Sequence, residues 1–136
     1  MSRSTTLTAS VRIEGDRHEL REAGPDAPGW RGAELLVAAV ASGYAAELAA
    51  AAERLAIPVA SLEVDAVGHL TARRDGRHAF VALELAASVD TGDDHFERLQ
   101  LAAEHALDRC PVVGALDVPL SHTVRLERAR LQEVRS

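Results

Sequence analysis

Apolar and polar residues alternate along several stretches of this chain, which is the pattern of β-strands that bury one face. The clearest alternation covers residues 79–89, where every second residue is apolar. A similar stretch at 62–72 precedes it, and Asp75-Gly76 lies between the two. Because Asp-Gly accommodates the positive φ angles of a tight turn, we predict a β-hairpin in the middle of the chain.

Three further strands are expected nearer the ends. Residues 5–13 alternate in the same way, a turn at Glu14-Gly15-Asp16 follows, and 18–22 can form a returning strand. A last strand is predicted over 120–126. The segment 24–29 carries two prolines and two glycines, which fit neither a ladder nor a helix, so it is predicted to be a loop.

A long helix is predicted between the N-terminal strands and the hairpin. Residues 31–56 include eleven alanines, the best helix former, and Pro58 marks the end of the pattern. The part from 35 to 41 is apolar on every side. A helix of that kind is buried all round, so we expect it to lie beneath a sheet or against a partner.

A second helix is predicted from residues 93–94, whose aspartates can cap it, to about Arg109. One or two helical turns are expected over 112–116. Together these elements predict an α+β fold as a single domain spanning 1–136, with its core at about 5–127.

The composition excludes several classes of partner. A formal charge of −6 argues against a nucleic-acid surface, and all 15 basic residues are arginine. The longest uncharged apolar run, 35–46, is too short to span a bilayer, and residues 1–10 lack the apolar core of a signal peptide. A single cysteine fits a reducing compartment. We therefore expect a soluble cytoplasmic protein.

Cys110 is the first candidate for chemistry. Since Pro111 suits the first position of a helix, Cys110 is predicted at the N-cap, where backbone N–H groups and the helix dipole favour a thiolate. The alternative is a buried cysteine that packs as a small apolar residue. The sequence leaves both open.

Two other features bear on a site. The histidines show no metal-ligand spacing, so no metal site is predicted; they are His18, His69, His78, His95, His105 and His122. Gly43 lies in the middle of the long helix, where glycine costs about 1 kcal/mol relative to alanine. We expect another helix or a ligand to approach the backbone there.

Two motifs in these elements carry a resemblance to a known family. The first is ELLVAAVASGY at 34–44, which is similar to the family motif E-L-L-x-A-A-x-A-x-C at the start of a long helix. The second is AEHALDRCPVV at 103–113, which is similar to a helix that ends in Cys-Pro. With the hairpin between them, the chain from about Thr5 to Glu127 resembles the osmotically inducible protein C and organic hydroperoxide resistance (OsmC/Ohr) family.

The resemblance implies a two-cysteine reduction of peroxides. In the family the helix cysteine attacks an organic hydroperoxide and becomes a sulfenic acid, which the Cys-Pro cysteine resolves as a disulfide. Gly43 occupies the position of the first cysteine, so we expect that activity to be impaired or lost. The family's partner glutamate falls at Ala33 in the hydroperoxide-resistance branch and at Glu34 in the more general pattern.

The resemblance also implies an intertwined homodimer, in which sheets from both subunits enclose two long helices and the active sites lie at the interface. In the family, an arginine from the N-terminal strands holds the reactive thiolate. Arg12, Arg17 and Arg21 are equal candidates for it. No cofactor is expected.

Three functions are consistent with these observations. The first is a protein without two-cysteine peroxidase activity that binds a small apolar or hydroperoxide ligand in a pocket enlarged by Gly43. The lining residues would be Trp30, Glu34, Val40, Gly43 and Tyr44. The second is a one-cysteine peroxidase, in which Cys110 reacts and an external thiol regenerates it. The third is a structural or interaction protein whose function is to form the dimer.

Overall fold

A computed structural model describes residues 4–23, 31–76, 78–91 and 96–127. The predicted loop at 24–29 and the aspartates at 93–94 lie outside the described residues. The order of strands and helices is the one predicted from the sequence, and the fold class is α+β. The elements are β1 Ser4–Glu14, β2 Arg17–Ala23, α1 Arg31–Arg54, β3 Ser61–Ala72, β4 His78–Asp90, α2 Phe96–Arg109, α3 Pro111–Ala115 and β5 Leu120–Glu127.

The five strands form one sheet in the order β2-β1-β3-β4-β5. The first four strands pair antiparallel, and the hairpin predicted at 62–89 is the β3–β4 pair. The edge strand β5 pairs with β4 in parallel. A parallel pair requires a crossover between its strands, and α2 and α3 supply that crossover.

The core lies between one face of the sheet and the helices α1 and α2. The inward side chains of β1, β3 and β4 are almost fully buried, because the helices cover that face of the sheet. They include Leu7, Val11, Val64, Leu85 and Val89. The outward side chains of the same strands are mostly polar or charged, which gives the alternation seen in the sequence.

Helix α1 is buried on one side only within the protomer. Val37, Val40 and Ala41 are inaccessible to solvent, but Leu35 is 50% exposed and Ala39 is exposed as well. The sheet and α2 cover one side of the helix, as expected, and cover of the other side by a partner stays a prediction. By length and composition α1 could cross a membrane, yet core helices of soluble proteins pass the same test, and half of its most apolar window is buried in the protein.

The C-terminus of α1 comes two residues earlier than predicted. Ala56 adopts a φ of 55°, and its N–H donates to the carbonyl of Glu53 at 3.0 Å. The N–H of Ile57 donates to the carbonyl of Ala52 at 2.9 Å. These two bonds form a Schellman motif, which ends the helix before Pro58 is reached.

Candidate functional site

Gly43 and Cys110 face each other across the contact between α1 and the start of α3. A Cβ atom placed on Gly43 would lie 3.2 Å from Sγ of Cys110 and 4.0 Å from Cγ2 of Val112. The first distance is shorter than an ordinary van der Waals contact between such atoms. Of the two neighbours that the sequence left open at Gly43, the protomer has a close protein contact, which is the thiol of Cys110.

The turn between α2 and α3 fixes the position of this thiol. Helix α2 ends at Arg109, and Cys110 is the extended N-cap residue of α3, with φ −75° and ψ 108°. Its carbonyl accepts a hydrogen bond from the N–H of Gly114 at 3.0 Å, and Pro111 occupies the first helical position. The predicted N-cap position is thus confirmed.

The side chain of Cys110 does not cap α3. It makes no capping hydrogen bond, and the residue is only 1% exposed. Since the thiol packs against Gly43 of α1, its surroundings come from the tertiary contact and not from the N–H groups of the short helix. Of the two environments that the sequence left open, the structure has the buried one.

Tyr44, the next residue of α1, is fully buried and bonded to His122 of β5. Its Oη lies 2.5 Å from Nε2 of His122, and the two rings meet edge to face at 5.1 Å between centroids. Burial raises the pKa of Tyr44 well above its usual range, and the nearby Cys110 raises it further. Tyr44 therefore stays protonated at neutral pH and can donate its hydroxyl hydrogen to the imidazole.

His122 lies between the buried Tyr44 and the protein surface. Burial lowers the pKa of His122, while Glu104 of α2 acts in the opposite direction because its carboxylate favours the imidazolium. A surface cavity of about 150 Å³ is lined by Gln100, Ala103, Glu104, His122 and Val124. The imidazole thus touches Tyr44 in the interior and borders a cavity that opens to water.

The other residues predicted to line a pocket are not all close to Cys110. Val40 is fully buried one helical turn before Gly43, whereas Trp30 lies outside the described residues. Glu34 is at the start of α1, where it bonds to Arg31 at 3.2 Å. Nine residues separate Glu34 from Gly43, which is about 13 Å along the axis and half a turn around it. Within one protomer Glu34 and Cys110 are therefore on different sides of α1.

None of the three candidate arginines faces the helices. Arg12 alternates with buried residues of β1 and pairs on the outer face with Glu63 at 3.6 Å. Arg17 and Arg21 lie opposite outward residues of β1 in the β1–β2 register. Arg12 and Arg21 line a surface cavity of about 330 Å³ on that outer face. Within the protomer the sheet thus separates all three guanidinium groups from the thiol.

His122 is the residue of this cluster that the sequence analysis did not select. The sequence did offer a signal, because His122 occupies an inward position of β5 between Leu120 and Val124. A titratable residue on the apolar face of a strand needs a buried partner, and here the partner is Tyr44. Among the described residues, no three His, Cys, Asp or Glu side chains are grouped closely enough to hold a metal ion.

The comparisons with known proteins agree with this fold. The model of the family described as OsmC-like protein matches residues 24–125, and the chain belongs to that family. No curated protein matches the sequence significantly.

Solved structures with the same fold include several hydroperoxide resistance proteins. An OsmC-like hydroperoxide resistance protein from Jannaschia sp. CCS1 is 16% identical with a TM-score of 0.67, over 82% of this chain and 85% of that one. An organic hydroperoxide resistance protein from Elizabethkingia anophelis is 16% identical with a TM-score of 0.63, over 89% and 96%. An OsmC-like protein from Mycoplasma pneumoniae is 16% identical with a TM-score of 0.64, over 93% and 96%.

Proposed function

We propose that this chain is an OsmC-family protein that has lost the two-cysteine reduction of organic hydroperoxides, with Gly43 at the position of the attacking cysteine. The observation that carries the proposal is the distance of 3.2 Å between the Cβ position of Gly43 and Sγ of Cys110. In a disulfide the Cβ of one cysteine lies about 3 Å from the Sγ of the other. Position 43 is thus where a disulfide partner of Cys110 would stand.

The positions of the charged residues support the same proposal. A thiolate that attacks peroxide is usually stabilised by a neighbouring cation. Arg12, Arg17 and Arg21 lie on the outer face of the sheet, so none of these three arginines of the protomer is available to the thiol. Glu34 pairs with Arg31 in the first turn of α1, about 13 Å along the helix from Gly43.

Restoring the cysteine tests the proposal. We expect Gly43→Cys to form a disulfide with Cys110 after addition of cumene hydroperoxide, as the attacking thiolate becomes a sulfenic acid and the second thiol displaces water from it. With dithiothreitol as reductant, the variant should consume hydroperoxide at least about 10-fold faster than the wild type, because a nucleophile is restored.

Two variants serve as controls for this measurement. Gly43→Ser adds a side chain of similar size without a thiol, and Gly43→Cys in a Cys110→Ser background has the nucleophile without its resolving partner. Neither should form the internal disulfide. Wild-type turnover equal to that of Gly43→Cys would contradict the loss of activity.

A second candidate function is a one-thiol enzyme based on Cys110. The position of Cys110 relative to Tyr44 favours it, because the thiol acts electrostatically on the Tyr44 hydroxyl, which is bonded to His122. In that reaction Cys110 would be oxidised to a sulfenic acid and an external thiol would reduce it. If Cys110→Ser consumes hydroperoxide as fast as the wild type, this candidate is wrong.

The same proposal includes a homodimer and a reducing, cytoplasmic location. The exposed side of α1 supports the dimer, since its residues are small or apolar and recur at helical spacing. They are Leu35, Ala39, Ser42 and Ala46. A reducing compartment would keep the only cysteine of the chain as a thiol.

A further inference from the structure

A second surface cavity, of about 140 Å³, lies on the outer face of the sheet. It is at the end of the sheet where β3 begins and where β4 and β5 finish. Its acidic side chains are Glu63, Asp65, Asp90 and Glu127. Only two guanidinium groups accompany these four carboxylates, so the lining has a net charge of −2. Such a cavity attracts cations from solution.

The two arginines of the cavity neutralise two of its carboxylates. Arg12 of β1 lies 3.6 Å from Glu63 of β3. Arg125 of β5 lies 3.6 Å from Glu127 of the same strand. The negative charge that remains is therefore on the two aspartates.

Asp65 and Asp90 have no cationic partner in the described part of the chain. Asp65 accepts a hydrogen bond from the hydroxyl of Ser10, which is uncharged. Asp90 forms no ion pair with any residue that the structure describes. Both carboxylates can therefore bind a cation that enters the cavity.

Ser61 is the observation that points to a ligand rather than to acidic surface alone. It is only 6% exposed, and it borders the cavity on the outer face because it alternates with the inward Leu62. A buried hydroxyl normally has a hydrogen-bond partner, but Ser61 has none among the described side chains. Ser61 is directly opposite Asp90 in the β3–β4 register. Its hydroxyl and the Asp90 carboxylate can therefore accept from one donor.

We propose that this cavity binds a small organic dication with two ammonium groups, a short aliphatic diamine. One ammonium group donates to the Asp90 carboxylate and the Ser61 hydroxyl, and the other donates to Asp65. The inference goes beyond the proposed function and is independent of the thiol, since the cavity is on the face of the sheet that the helices do not cover.

The spacing of the two aspartates favours a diamine over a metal ion. Asp65 is four residues beyond Ser61 on β3, which is about 13 Å of strand. Carboxylate oxygens bind a metal ion at about 2.0–2.6 Å, so Asp65 and Asp90 are too far apart to share one. A diamine with a short alkyl chain covers a similar length when a hydrogen bond of about 2.9 Å is added at each end.

A titration followed by ¹H–¹⁵N NMR tests the proposal, with 1,4-diaminobutane as the probe. Both of its amines are protonated at neutral pH. The ionic strength is kept low, because salt screens the attraction. The comparison compounds are 1-aminobutane, which has one ammonium group, 1,4-butanediol, which has none, and Mg²⁺, which has the same charge but no N–H donor.

Two variants remove the proposed acceptors, and each has a matched control. Asp90→Asn is compared with Asp108→Asn, which changes the net charge equally at an exposed position of α2. Ser61→Ala is compared with Ser121→Ala, at an exposed position of β5. Neither control residue lines the cavity. Asp108→Asn thus measures the non-specific attraction of a dication to a chain of charge −6.

We expect the backbone amides of Ser61 and Asp90 to shift saturably, with a dissociation constant of about 1 mM or lower. Asp90→Asn should weaken binding about 5-fold, because an ion pair is lost. Ser61→Ala should weaken it about 3-fold, because the ammonium group loses one acceptor. Both controls should bind like the wild type. 1-Aminobutane should bind about 5-fold more weakly than the diamine, and 1,4-butanediol should not bind.

Four results would overturn the proposal. They are no saturable shifts, shifts spread over the whole acidic surface, equal effects of Asp90→Asn and Asp108→Asn, and Mg²⁺ binding at the same amides as tightly as the diamine. Asparagine has the shape of aspartate, so Asp90→Asn is informative even if Ser61→Ala folds poorly. None of these results depends on disulfide formation by Gly43→Cys, so failure of the diamine site and failure of the proposed function are distinguishable.

Discussion

At the scale of single residues, the burial of Tyr44 predicts how the stability of the protein depends on alkaline pH. Its pKa is raised by burial, so the folded state holds the phenol proton more tightly than the unfolded chain does. The stabilisation is complete below the ordinary tyrosine pKa of about 10 and is lost as the pH rises beyond it. The chain has no lysine and no second tyrosine, so few other groups titrate in that range.

We therefore expect the free energy of unfolding to fall above pH 10, with a slope approaching about 1.4 kcal/mol per pH unit. Urea unfolding at several pH values measures the slope. Cys110→Ser, which lacks the only thiol of the chain, is the reference protein, and Tyr44→Phe in that background should lose the slope. A similar slope in both proteins would show that Tyr44 is not its source.

The individual residues of the site were only partly predictable. Pro111 is a local signal, so the N-cap position of Cys110 could be derived from the sequence. The glycine in the middle of α1 indicated a close neighbour, yet the sequence could not show that the neighbour is the thiol of Cys110. That contact, like the bond between Tyr44 and His122, joins segments far apart in the chain and depends on how α2, α3 and β5 pack on α1.

At the scale of elements, Gly68 of β3 allows α1 to approach the sheet closely. A Cβ atom at this position would lie 2.8 Å from Cγ2 of Val37 and 2.8 Å from Cε1 of Phe80. Both distances are below van der Waals contact, so a larger residue must displace the helix or the aromatic ring.

We expect Gly68→Ala to destabilise the protein by about 1–3 kcal/mol in chemical unfolding, the usual cost of overpacking a core. Gly32→Ala is a matched control, because a Cβ atom there meets nothing within 4 Å. It should be neutral or slightly stabilising, since alanine is the better helix former. Equal effects of the two substitutions would mean that α1 does not rest on Gly68.

The elements themselves were largely predictable because their signals are local. The alternation in β1, β3 and β4 follows from a sheet with one covered face, and the alanines of α1 favour a helix wherever it packs. The end of α1 was less predictable. Ala56 adopts a left-handed conformation after the last turn of the helix. The sequence does not predict this, because glycine is the usual residue at that position.

At the scale of the whole molecule, the apolar residues of α1 exceed what one protomer buries. The sheet and α2 cover the side with Val37 and Val40, while Leu35 on the other side is 50% exposed. Leu20, on the helix-covered face of the edge strand β2, is 47% exposed. The apolar pattern of α1 therefore predicted that both sides of the helix are covered. A single chain covers only one side, because its sheet packs on the helices with one face.

A second copy of the chain would cover these surfaces, and we expect the protein to be a homodimer at micromolar concentration. Small residues at Ala39 and Ala46 would let two α1 helices approach closely, with Leu35 inside the contact. Leu35→Glu would bury an unpaired carboxylate there and should therefore yield a monomer in light scattering after size-exclusion chromatography. Val81→Glu introduces the same charge at a residue that is 46% exposed in β4, and this control should remain dimeric. A wild-type monomer, or a Leu35→Glu protein that is still dimeric, would rule out this surface as the interface.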